Sequence, residues 1–313
     1  MATGVGSLWR WWTIRQAPAR SQLTFPPLPR VSEASEVAAR LRRGDCNAVV
    51  LLPPADETAL SEQLTNIAAA AAAAATAPFD IRARGVPGDA PQIGQALRDL
   101  LQASSLRQFD AASTFHLVRR CAQLVLAFHQ SLEHLAPPSL RYDLRLATVQ
   151  QTPCPRFHSD TVPLRLLCTL VGPGTEVVRE AAVNRAMFEA ARRAQRQASE
   201  SDDADAAPEV DGVNLAALDA DEHARQLVLL PQVSYGVTQV QPRGERKEAS
   251  ASYIHDPAPH APIERVRAGE ALFLKGNQWP GNDQRGAVHR SPRLVPGRYR
   301  LIFQVDLSRP TED

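Results

Sequence analysis

The sequence predicts an α+β protein, a helical first half followed by a strand-rich second half. Apolar residues recur with a helical period at 93–101 and 111–134, and from residue 141 the period drops to two. Beyond residue 160, short apolar runs are punctuated by Gly and Pro, as strands joined by turns are.

Composition bounds the rest. A chain of 313 residues with 44% hydrophobic content can build a core, so wholesale disorder is excluded. Lys+Arg number 35 and Asp+Glu 34, a net charge of +1, which argues against nucleic-acid binding by broad phosphate neutralisation. No apolar run reaches the ~18 residues of a bilayer span, so the chain reads as soluble. Cys46, Cys121, Cys154 and Cys168 form no CxxC pair and no disulfide framework, which suits a reducing, cytoplasmic setting.

In chain order, residues 1–35 form a flexible or targeting-like N-terminus. Residues 1–32 hold no acid but carry Arg10, Arg15, Arg20 and Arg30, the composition of an organellar transit peptide or of an ordinary first element. Residues 36–140 form a mainly helical part. Within it, 47–52 reads as a strand stopped by Pro53 and Pro54, and the alanine-rich 57–75 as a helix. Ile93, Ala96, Leu97, Leu100 and Leu101 line one face of a second helix. Phe115, Val118, Cys121, Ala122, Val125, Phe128 and Leu132 line a third, over 111–134. Residues 141–313 form the strand-rich core, with strands at 141–150, 164–171, 226–230, 233–241, 270–275 and 298–306. An insertion at about 179–262 interrupts it, helical and basic at 181–198. Five acids within 200–209 then predict disorder.

The chemistry gathers in the second half. In Cys154-Pro-Arg-Phe-His158-Ser-Asp160 an extended chain puts imidazole and carboxylate on the same side. With the distant His289 the set becomes two His and one carboxylate, the facial arrangement that holds non-haem Fe(II). Arg298 and Arg300 follow His289 by nine and eleven positions and share one strand face. Either guanidinium could grip the distal carboxylate of 2-oxoglutarate; structural salt bridges are the alternative. Arg165 either binds an acid beside the metal or pairs structurally. Trp279 and Asn282 either contact substrate at a pocket mouth or stabilise a turn. Cys154 could add a soft ligand and favour zinc. His116, His129 and His134 read as non-catalytic, and His255 and His260, with Asp256, as at most a weak secondary site. No Gly-rich phosphate loop, GxSxG elbow or HExxH occurs, so those chemistries lack support.

The block from Cys154 to Glu176 resembles the signature of domain-of-unknown-function family 1826. So do Leu274-Lys-Gly-Asn-Gln-Trp-Pro-Gly-Asn282 and Val288-His-Arg-Ser-Pro292. The family's spacing is in turn similar to that of the double-stranded β-helix oxygenases, which implies a jelly-roll-like core. Membership implies an Fe(II)/2-oxoglutarate-dependent oxygenase acting on a substrate the sequence does not name. The alternative is a non-catalytic protein that holds Zn(II) alone and serves metal homeostasis. Oligomeric state is left open by these residues.

Overall fold

The computed structural model describes residues 25–54, 78–88, 90–102, 111–132, 140–200, 209–210, 213–214, 262–282 and 285–308. The first elements are β1 (Arg30–Val31), α1 (Ala34–Leu41), β2 (Ala48–Leu51), β3 (Asp80–Pro87), α2 (Ala90–Gln102) and α3 (Ala111–Leu132). Next come β4 (Arg141–Val149), β5 (Leu164–Val171), β6 (Glu176–Val178), α4 (Arg185–Glu200), β7 (Glu209–Val210) and β8 (Val213–Asn214). The last are β9 (Ile263–Arg265), β10 (Ala271–Lys275), β11 (His289–Arg290) and β12 (Arg300–Ser308). The protein is a mixed α/β structure with one large sheet.

Seven strands form that sheet in the order β1-β2-β10-β5-β12-β4-β3, and three form a smaller one in the order β11-β6-β9. Strands β7 and β8 pair with each other. Alternation decides which way the large sheet faces. Tyr142, Leu144 and Leu146 of β4, Leu166 and Cys168 of β5, and Leu301, Phe303 and Val305 of β12 share one cluster with the inner face of α3. The apolar side of β12 therefore packs on the helices. From the other side, Leu272 and Leu274 of β10 meet Val177 of β6 and Ala287, joining the two sheets. Helix α4 covers the small sheet through Phe188 and Ala191, packed with Val178 and Val288.

The buried stripe of α3 runs through Leu117, Cys121, Leu124, Phe128 and Leu132, a steady helical spacing. Phe115, expected on it, is instead 60% exposed. Phe128 stacks on Phe273 of β10 at 6.1 Å and meets Tyr142 of β4 edge-on at 5.5 Å. It thus spans the sheet from a central strand towards its edge. Phe128→Ala is expected to cost about 3–5 kcal/mol, read by chemical denaturation.

Residues 36–140 contribute most of α1, all of α2 and α3, and also β2 and β3, which lie in the same sheet as β4, β5, β10 and β12. Their partners are far away in sequence, β10 for β2, so local pattern could not reveal the pairing. Arg298 does not share a strand with Arg300: Gly297, at φ 80°, closes a turn in which the Arg298 N–H donates to Val295 O, and β12 starts at Arg300. At the start of the 179–262 insertion, where a helix is expected over 181–198, α4 forms, Arg179 is buried and Phe188 packs in a core. The expected helix at 57–75, the strands at 226–230 and 233–241, most of the N-terminus, His134, His255 and His260 lie outside the described residues. Among the described residues, no helix is long and apolar enough to cross a membrane.

Candidate metal centre

His158 and His289 face each other across an isolated antiparallel bridge. Each backbone N–H donates to the other residue's carbonyl at 2.9 Å. This pairing puts both side chains on one side, with ring centroids 4.5 Å apart. Asp160, two residues beyond His158 on the extended chain, reaches the same point.

The tautomers follow from the neighbours. His158 Nδ1 lies 3.0 Å from Arg156 O and His289 Nδ1 lies 3.1 Å from Ala287 O. A carbonyl oxygen only accepts, so each Nδ1 carries a proton, which leaves Nε2 as the nitrogen that could offer its lone pair to a metal. Those Nε2 atoms lie 3.8 Å from Asp160 Oδ1 (His158) and 3.3 Å from Asp160 Oδ2 (His289). Asp160 Oδ2 is buried without a hydrogen-bond partner. One ligand atom from each of the three residues lies within 4.8 Å of the others. Three electron-pair donors crowded together fit a divalent cation, and two imidazoles with one carboxylate suit a first-row transition metal.

Charge supports that fit. Burial, and then the neighbouring His289, holds His158 down at about 4, so its ring is neutral near pH 7. Burial pushes the Asp160 carboxyl up, but His289, Arg165 and His158 outweigh it and hold the group below the usual carboxylate range.

Arg165 does bind acids, and they belong to the protein. Its Nη1 contacts Asp160 Oδ1 at 2.6 Å, while Nε and Nη2 donate to Asp306 at 2.6 and 2.8 Å. All three nitrogens are engaged, which leaves no edge for a cofactor. Arg165 instead fixes Asp160 by one oxygen and leaves Oδ2 turned to His289. Asp306, which the sequence reading missed, stands opposite Arg165 in the β5–β12 register.

Arg300 is 2% exposed. Its Nη2 donates to Thr169 Oγ1 at 3.0 Å and Thr175 Oγ1 at 3.1 Å, and its Nε has no partner. No described carboxylate pairs with it, and burial lowers it to about 10. Arg298 is exposed. Trp279 is not at a pocket mouth: it is buried in the helix-side core under the Lys275 ammonium, 5.6 Å from the ring. Asn282 is buried with its Nδ2 unpartnered. Cys154 is exposed and is not among the converging atoms. His129 bonds the Tyr142 hydroxyl, away from the triad. A cavity of about 960 Å³ lined by Arg30, Arg40, Asn47 and Glu180 opens elsewhere, and no triad residue lines it.

A family model described as protein of unknown function (DUF1826) matches residues 32–211 and 238–306. The chain belongs to this family. The DUF1826 match includes the triad, Arg165, Asp306 and Arg300, and its gap falls inside the insertion. No curated protein matches the chain. Similar solved structures include these two. The dioxygenase for auxin oxidation (DAO) in rice has 12% identity and a TM-score of 0.42, over 92% of this chain and 85% of its own. AviO1 from Streptomyces viridochromogenes Tue57 has 13% identity and a TM-score of 0.33, over 90% of this chain and 97% of its own.

Proposed function

We propose that this chain is an Fe(II)/2-oxoglutarate-dependent oxygenase on a double-stranded β-helix core, with His158, Asp160 and His289 holding the iron. The facing seven- and three-stranded sheets support such a core. The observation that carries the reading beyond metal binding is Arg300. A guanidinium withdrawn from water on two threonine hydroxyls, without a carboxylate, is costly unless an anion completes it. The distal carboxylate of 2-oxoglutarate is such an anion, and the guanidinium fork with Thr169 and Thr175 would receive it.

Bound there, the iron and 2-oxoglutarate would activate dioxygen, the oxidant, for attack on a substrate C–H bond, with 2-oxoglutarate oxidised to succinate and carbon dioxide. The chain's own residues do the positioning. His158 and His289 offer their Nε2 atoms because backbone carbonyls hold their Nδ1 protons. Arg165 pins Asp160 by Oδ1 and so spares Oδ2 for the metal. Among the described residues no fourth protein ligand joins the three, so positions would stay open for co-substrate and oxygen.

Calorimetry with Fe(II)-loaded protein under nitrogen tests the reading. Wild-type protein is expected to bind 2-oxoglutarate and, in air, to release succinate. Arg300→Met should weaken 2-oxoglutarate binding by at least about 100-fold, the cost of leaving a buried charge pair half-made, while metal content stays unchanged. Arg298→Met should change neither. Wild-type protein that binds no 2-oxoglutarate would leave the zinc-only role as the better reading.

A further inference from the structure

We infer that Asn277 is a positioning residue, one buried amide that ties the His158–Asp160 segment to the strand delivering His289. The inference rests on the metal reading above and adds the device that holds the site's two halves in register.

The turn after β10 lies along the segment that follows the His-x-Asp pair. The Gly276 N–H donates to Pro163 O at 2.9 Å, the Asn277 N–H to Asp160 O at 2.8 Å, and the Gln278 N–H to Val162 O at 3.3 Å. This places the Asn277 side chain, 8% exposed, between the two ligand-bearing strands. Its Oδ1 accepts from Ser159 Oγ at 2.9 Å and from the Gly286 N–H at 3.1 Å, and its Nδ2 donates to Ser159 O at 3.4 Å. A backbone N–H can only donate, so the atom facing Gly286 is the oxygen and the amide has one orientation. Ser159 stands between His158 and Asp160. Gly286 stands one residue before Ala287, whose carbonyl holds the His289 Nδ1 proton.

The approach leaves no slack. A Cβ on Gly276 would fall 1.8 Å from Val162 O, and one on Gly286 would fall 2.8 Å from Asn277 Oδ1. The direct ties between the halves are the His158–His289 bridge and, before His158, the Ser291 N–H donating to Cys154 O at 3.0 Å and the Leu294 N–H donating to Thr152 Oγ1 at 3.1 Å, all on the side away from Asp160. Asn277 supplies the attachment on the Asp160 side, from a third segment, so the pair of segments is held on both sides of the bridge. Buried donors and acceptors left unmet are costly, so these bonds hold together or fail together.

The test is Co(II) titration of the full chain, followed by the visible absorption of the bound ion, alongside thermal unfolding of each metal-free protein. Asn277→Ala removes all three side-chain bonds. It should weaken Co(II) binding about 10- to 100-fold, the usual cost of losing a ligand's support, and shift the visible bands as the ligand angles relax. Ser159→Ala removes one bond and should weaken binding about 2- to 10-fold. A residue that merely stabilised the turn would lower the unfolding temperature and leave affinity and spectrum untouched. Folded Asn277→Ala protein with wild-type affinity and bands overturns the inference, and if that variant does not fold, wild-type behaviour of Ser159→Ala does so. Wild-type protein that binds no Co(II) overturns the metal reading as well, so the two failures are distinct.

Discussion

Replacing His289 by alanine is expected to weaken Fe(II) or Co(II) binding about 100- to 1000-fold while the protein still folds. The size follows from sharing the roughly 10–16 kcal/mol of a tight four-ligand site among its ligands. Folding should survive because the His158–His289 bridge is made by backbone groups, which alanine keeps. His289 is 4% exposed, so some packing is lost, but so is the crowding of its Nε2 against Asp160 Oδ2. His158→Ala should behave alike. His129→Ala, which breaks only the contact to Tyr142, should leave metal content unchanged. Elemental analysis of the three purified variants decides. Equal metal in His289→Ala and His129→Ala protein would remove the triad as the site.

Gly276→Ala is expected to be the most damaging single methyl group in this region. The new Cβ would meet the Val162 carbonyl oxygen at 1.8 Å and its carbon at 2.8 Å, both backbone atoms that no rotamer change can clear. Relief requires moving residues 160–163, and Asp160 with them. A loss of at least about 4 kcal/mol, or failure to fold, is the expected result. Gly281→Ala is the contrast. Gly281 sits at φ +70° with nothing within 4 Å of the added Cβ, so only the left-handed backbone penalty of about 1–2 kcal/mol applies. Urea unfolding of the two variants should separate them clearly. Comparable losses would mean that the close approach of 276 to 162 is not maintained in solution.

Much of the second half was legible because its strands alternate cleanly. Leu301, Phe303 and Val305 identify the helix-facing side of β12, and hence the side on which Arg300 is buried. The His-x-Asp spacing was legible for the same reason, since an extended chain returns every second side chain to one face. What was not legible depends on register between distant strands. Nothing near Arg165 in sequence announces that Asp306 stands opposite it, so a paired arginine looked like a free one. Arg298 and Arg300 share a two-residue spacing, but the strand begins only after the Gly297 turn, and alternation carries no mark for a strand's first residue. The apolar run of β2 is buried along its whole length, so its pattern could not say which strands flank it. Asn277 lies in the Leu274–Asn282 signature block, but its role was not legible, because an asparagine in a Gly-containing turn is expected wherever chains turn.

The pairing of β6 with β9 has a consequence for how this chain can vary. Glu176, Val177 and Val178 pair with Arg265, Glu264 and Ile263, and the Arg179 N–H donates to Pro262 O at 2.9 Å. The chain therefore leaves the small sheet and re-enters it at one spot, and everything between is, for the sheet, a single hairpin connection. Doubling the length of such a connection costs only about 0.6 kcal/mol in closure entropy. Strand β11 pairs on the opposite edge of β6, so His289 takes its register from Val177, while α4 at the start of the connection packs on Val288. Arg179 and α4 belong to the core, so the port that the fold offers lies between α4 and β9, where a segment can be lengthened, trimmed or exchanged for a reporter module while the pairing of β6 with β11 is kept.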